Sequence, residues 1–192
     1  MDAVKIVNKI NKEHGTIKNV YFLACGGSLV DLYPGYYFVR AESAVMDAQW
    51  IPAREFALTP PKKLGKDSLL IICSHSGKTK ECLEAAKVGI NAGAAVVTMT
   101  HAPGSPCDCE EWISVVYDWA PGVKEAQKPQ GIVLGILNEL MKAQEPGYTL
   151  YSSIKEGFEK IDDIIAEAVK KQQNSVRIPK GQQHGLWGKF FA

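Results

Sequence analysis

Three hydroxyls, an imidazole and two ammonium groups crowd into eight positions, Ser74-His75-Ser76-Gly77-Lys78-Thr79-Lys80-Glu81. They follow an apolar run of strand length, Ser68-Leu69-Leu70-Ile71-Ile72-Cys73, and precede a helix-forming stretch, 81–92. A hydroxyl-rich loop between a strand and a helix is suited to an anion. The first helical N–H groups have no intrahelical partner, the helix dipole favours negative charge there, and Ser and Thr add donors. A phosphate is the expected ligand, and the open point is what carries it. A second loop, Cys25-Gly26-Gly27-Ser28, has related chemistry and also follows an apolar run, Asn19-Val20-Tyr21-Phe22-Leu23-Ala24.

Positioning these loops requires alternating elements. The pattern predicts a helix over 2–12, with Val4, Val7 and Ile10 on one side, and a buried strand over 19–24. A helix over 29–39 follows, then a weaker strand over 44–50 and a short helix over 51–56 that Pro60-Pro61 closes. The third strand is 68–73, and its helix, about 80–92, stops at Gly93. Strands over 94–100 and 113–117 flank a loop beginning His101-Ala102-Pro103-Gly104. Two helices end the pattern: an apolar one over 132–143, and an amphipathic one over 150–173 carrying Tyr151, Ile154, Phe158, Ile161, Ile165 and Ala168 on one face. Short loops between alternating strands and helices imply a three-layer αβα, doubly wound parallel sheet of five strands. With the flavodoxin-like order 2-1-3-4-5, the switch point lies between strands 1 and 3, where such sheets bind ligands. Both loops would meet there.

Other nucleotide readings fail on spacing. Gly26-Gly27-Ser28 is not Gly-x-Gly-x-x-Gly, and the second strand ends in Gln49-Trp50 rather than an acidic ribose partner. Ser76-Gly77-Lys78-Thr79 ends like a Walker loop but lacks its leading glycine. His75 is placed to face the ligand, Lys78 could reach a phosphate as a point charge, and His101 belongs to the same rim. Gln127 and Lys128, after the fifth strand, could contact a sugar at that edge. Cys107 and Cys109, with His101 upstream, lack the two-pair spacing usual for zinc, so no metal and no cofactor is expected. With 22 Lys+Arg against 21 Asp+Glu and no basic run, a nucleic-acid partner has no support. Neither a signal-peptide layout nor an apolar run of membrane-spanning length is present, which makes a cytoplasmic protein with no membrane partner the expectation.

With both loops in view, the chain resembles the sugar isomerase (SIS) domain family, most nearly its fructoselysine-6-phosphate and related fructosamine-phosphate deglycases. The stretches that carry this are Val20-Tyr21-Phe22-Leu23-Ala24, Tyr33-Pro34, Cys73-Ser74-His75-Ser76-Gly77 and Tyr117-Asp118-Trp119, within residues 15–170. The resemblance implies that the two loops clasp a substrate phosphate. Ser28, Ser74, Ser76 and Thr79 would give hydroxyl donors, with Gly26, Gly27, His75, Gly77, Lys78, Gln127 and Lys128 lining the site. The implied chemistry is ring opening of a phosphorylated ketosamine, proton transfer and hydrolysis to glucose 6-phosphate and a free amine.

Deglycases of this kind carry two SIS domains in tandem, with the catalytic Glu and His in the second. The expected organisation here is a helix over 1–14, one SIS domain over 15–149, a linker helix over 150–173 and an irregular tail over 174–192 that does not match a second domain. This reads as a truncated or split form whose catalytic residues are unknown. It would be completed by a homo-oligomer or a second SIS half, and the faces of 130–143 and 150–173 are expected to be exposed for that contact. Two alternatives stand beside it. One is a single-domain phosphosugar isomerase with an active site across subunits, using Glu55 or Glu81 with His101 or His184; the other is a non-catalytic sugar-phosphate-binding module.

Overall fold

A computed structural model describes residues 2–172. Five parallel strands form one sheet in the order β2-β1-β3-β4-β5, as the sequence predicts. They are β1 (Asn19–Ala24), β2 (Asp47–Pro52), β3 (Ser68–Cys73), β4 (Ala95–Thr100) and β5 (Ile113–Val116). The helices are α1 (Ala3–His14), α2 (Gly27–Asp31), α3 (Tyr33–Glu42), α4 (Ala53–Leu58), α5 (Lys80–Asn91), α6 (Pro129–Gln144) and α7 (Tyr151–Gln172). Every residue of β1, β3 and β4 is buried, which explains their unbroken apolar runs: helices cover both faces.

Side chains alternate between two cores. Phe22, Ile71, Val97 and Met99 pack with Ile10 of α1, Val39 of α3 and Val133, Ile136 and Leu137 of α6. Tyr21, Leu23, Leu70 and Ile72 pack with Phe56 of α4 and with Cys82, Ala85 and Ala86 of α5. Full burial of an aliphatic or aromatic side chain of this size stabilises by about 1.5–3 kcal/mol, so these layers hold the strand ends in register. The described residues divide into two units, 2–159 and 160–172. The described part of the second is the end of α7, where Ile164, Ile165 and Val169 are exposed.

Several expectations change in detail. The helix expected over 29–39 is broken at Leu32 into α2 and α3, with Pro34 in the first turn of α3, where a missing N–H costs nothing. Strand β2 starts three residues later than expected and ends two later, taking in Ile51 and Pro52. As an edge strand it is only partly buried, and its pattern is weak for that reason. On α1 the buried face is Ile6, Val7 and Ile10, and Val4 is exposed. The apolar face of α6 is covered within the chain, nine of its residues being buried, so it is not the bare surface expected. Its end is fastened by Glu145, a buried carboxylate that accepts from Ser43 Oγ and from the Ala44 N–H at 2.9 Å. Among the described residues no helix is long and apolar enough to cross a membrane. The expected tail over 174–192, with His184, lies outside the described residues.

Candidate functional site

The ladder aligns Ala24 with Cys73, so the loops leaving β1 and β3 start side by side at the switch point of the sheet. Gly26 has φ +60°, and a Cβ at Gly26 or Gly27 would meet open space. Ser28 follows in the first turn of α2 and is half-buried.

The 74–79 loop is held at both ends. The Ser74 N–H donates to Met99 O (2.9 Å), and the Gly77 N–H donates back to Ser74 O (2.9 Å), closing the turn. Ser74 is buried and its Oγ lies 2.8 Å from Thr79 Oγ1. Thr79 caps α5 with its carbonyl, which accepts from Cys82 and Leu83, while its hydroxyl bonds none of that helix's amides. Ser76 is exposed, and its Oγ accepts from the Lys78 N–H at 3.3 Å. His75 and Lys78 are exposed too. The predicted serines, threonine and glycines therefore gather on two adjacent loops at the N-terminus of a twelve-residue helix. Hydroxyls, unsatisfied amides and a helix dipole in that arrangement can hold an anion.

Gly77 is required by its surroundings. Its φ is +64°, and an added Cβ would stand 2.5 Å from Ser105 Cβ and 2.7 Å from Thr100 Oγ1. Beneath it runs the β4–β5 loop, where the Cys107 N–H donates to Gly77 O (3.0 Å). That loop is itself pinned, because the Cys107 carbonyl accepts from Thr98 Oγ1 (2.7 Å) and Trp112 Nε1 (2.9 Å). Cys107 is thus a buried buttress of the loop; burial pushes its thiol up to about 11.

Beside the loops stands a group of rings. His75 and His101 stack with centroids 4.9 Å apart and planes 15° from parallel. His75 Nδ1 lies 3.0 Å from the Tyr117 hydroxyl, and Trp119 meets His75 edge-on at 5.9 Å. Burial pushes the Tyr117 hydroxyl above its ordinary value and the neighbouring Cys73 thiol up to about 12, so both keep their protons. Lys128 sits 5.9 Å over the Trp119 ring and is paired with Glu125. Gln127 lines a neighbouring cleft of about 470 Å³ with Val116, Tyr117, Asp118 and Gly131. Asp31, at the end of α2, accepts from Gln130 Nε2 at 2.8 Å, and burial raises its carboxyl pKa against the lowering influence of His75. Of the candidate acids and bases, Glu55 is exposed on α4 and Glu81 lies in the first turn of α5. Among the described candidates, His101 alone joins the group around His75.

The sequence did not single out Asp31, Ser105 or Cys107 for the site, and it noted Tyr117 and Trp119 only as part of a resemblance. The aromatic pair closing β5 was the available signal. Nothing in the irregular β4–β5 loop marked Ser105.

No protein-family model matches the chain. Among curated proteins, it is 32% identical over 162 residues to fructosamine deglycase FrlB of Bacillus subtilis, covering 84% of this chain and 49% of the relative. Over 174 residues it is 30% identical to a glutamine–fructose-6-phosphate aminotransferase (isomerizing) of Clostridium tetani, covering 87% of this chain and 28% of the relative. Among solved structures, a candidate phosphosugar isomerase from Salmonella typhimurium LT2 superimposes with a TM-score of 0.82 at 32% identity, covering 89% of this chain and 51% of that one. The chain spans about half of the length of two of these proteins and 28% of the aminotransferase. With the sheet order, the two strand-end loops and these similarities together, the chain belongs among the SIS-domain proteins of the phosphosugar isomerase and deglycase family, related to FrlB-like deglycases.

Proposed function

We propose that the chain binds a sugar phosphate, with the phosphate seated on the 74–79 loop and the N-terminus of α5. The observation that carries this reading is the Ser74–Thr79 hydroxyl pair at 2.8 Å, with the Thr79 side chain left unbonded to the amides of the helix it caps. Ser28 and Ser76 complete the donor set; Gly26, Gly27 and Gly77 let the backbone approach; His75 and Lys78 border it, with Gln127 and Lys128 further along the same strand edge. We read the ligand as a fructosamine 6-phosphate and the setting as deglycase chemistry, supported by the named activity of the Bacillus subtilis relative. The acid and base of that reaction would come from a second SIS half or a second copy of the chain.

Calorimetric titration with fructose 6-phosphate tests the binding step. Ser76→Ala and Thr79→Ala should each weaken binding by roughly 1–3 kcal/mol, the loss of one donor to a charged group. Unchanged affinity in both variants would remove this loop from the site.

A further inference from the structure

The carboxyl ends of β4 and β5 carry rings that phosphate binding leaves unused. His101 Nδ1 lies 3.1 Å from the Tyr117 main-chain oxygen. A carbonyl can only accept, so Nδ1 holds a proton, and Nε2 is the nitrogen left to serve as acceptor in the neutral tautomer this bond selects. The ring is exposed and stacks on His75, a member of the 74–79 loop. Tyr117 fixes both imidazoles from behind, with its hydroxyl at His75 and its carbonyl at His101. Trp119 extends the group, 6.3 Å from the Tyr117 ring and 44% exposed, so one part of the indole has no cover.

A part-exposed indole, with Lys128 over its ring, and two stacked imidazoles beside a polar loop are not accounted for by core packing. Ring faces suit the C–H faces of a polyol chain, and a fixed ring nitrogen suits a hydroxyl, the usual division of labour where apolar and polar groups converge on one ligand. We propose that His101 and Trp119 form the wall that reads the sugar of the phosphate-anchored ligand. Trp119 packs on the carbon skeleton, and His101 Nε2 accepts a hydrogen bond from a sugar hydroxyl. His75 and Tyr117 position the His101 ring. This wall rests on the reading of residues 74–79 as the phosphate site.

The test compares fructose 6-phosphate with inorganic phosphate by calorimetry on the full chain. His101→Phe keeps a ring for the stack and removes the acceptor, and Trp119→Ala removes the packing face at an exposed position. Each variant should weaken fructose 6-phosphate about fivefold or more, the equivalent of one hydrogen bond or one ring contact, and leave inorganic phosphate within about twofold of the parent. An unchanged ratio of the two affinities in either variant overturns the wall. If the parent binds both ligands equally tightly, the phosphate reading stands and the wall falls. If the parent binds neither, the phosphate reading falls and takes the wall with it.

Discussion

Gly77→Ala is the sharpest perturbation of the loop, because two separate effects oppose it. At φ +64° a side chain enters the left-handed region, which costs an L-residue about 1–2 kcal/mol. The new methyl would also stand 2.5 Å from Ser105 Cβ and 2.7 Å from Thr100 Oγ1, so one partner must yield by about 1 Å. Rotation of Ser105 could move its hydroxyl but not its Cβ. Its backbone is held by the Ser105 N–H to Ala102 O (3.3 Å) and the Asp108 N–H to Ser105 O (2.8 Å). Overpacking of this kind adds about 1–3 kcal/mol, for a total of roughly 2–5 kcal/mol. That is a large share of a typical domain's stability of about 5–15 kcal/mol. Urea unfolding measures the loss, and a double-mutant cycle with Ser105→Gly separates its parts. Removing Ser105 Cβ should return about 1–3 kcal/mol and leave the backbone term in place. A Gly77→Ala protein within about 0.5 kcal/mol of the parent, or a cycle with no coupling, would refute the reasoning.

Asp31→Asn should raise the urea midpoint at pH 7. Burial raises the folded carboxyl pKa, so the fold favours the neutral form; that contribution is complete below the unfolded carboxylate value and is lost as pH rises through the folded one. Asparagine keeps the acceptor for Gln130, and its advantage should vanish below about pH 4, with a more stable parent at pH 7 counting against the assignment. Cysteine alkylation at pH 8 followed by peptide mapping should label the half-exposed Cys25 and Cys109 first. Cys73, pushed up to about 12 by burial, would be roughly one part in ten thousand thiolate there, and Cys82 and Cys107 are also raised. Labelling of Cys73 as fast as Cys25 would overturn the placement of these thiols.

Strands β1 and β3 were legible because burial on both faces writes itself as an uninterrupted aliphatic run, and their bounds match the expected ones. Strand β2 was displaced because an edge strand has only partial burial to record, and Pro52 looked like a helix start rather than the end of an exposed edge. The two loops were legible from residue types, since hydroxyls and glycine between strand and helix carry their meaning locally. The buttress under Gly77 was not. Ser105 and Cys107 act through contacts made across 28 to 30 positions of sequence, from a loop with neither period. The ring group is an intermediate case: His75, His101 and Tyr117 follow three strands that are neighbours in the sheet, so the order of strands converts distant residues into a cluster.

Helix α5 meets the sheet through Cys82, Ala85, Ala86 and Gly89, and a Cβ at Gly89 would already stand 3.1 Å from Val96 Cγ2. Such close approach leaves no room for the helix to rock on the strands below it. At its amino end the buried Cys82 and the Thr79 carbonyl, which accepts from Cys82 and Leu83, tie the first turn to the loop, so the proposed anion site is formed without a rearrangement of the helix. Preorganisation of this kind favours fast association that does not wait on a change in the protein, with an affinity that reflects donor geometry rather than the ordering of a mobile segment.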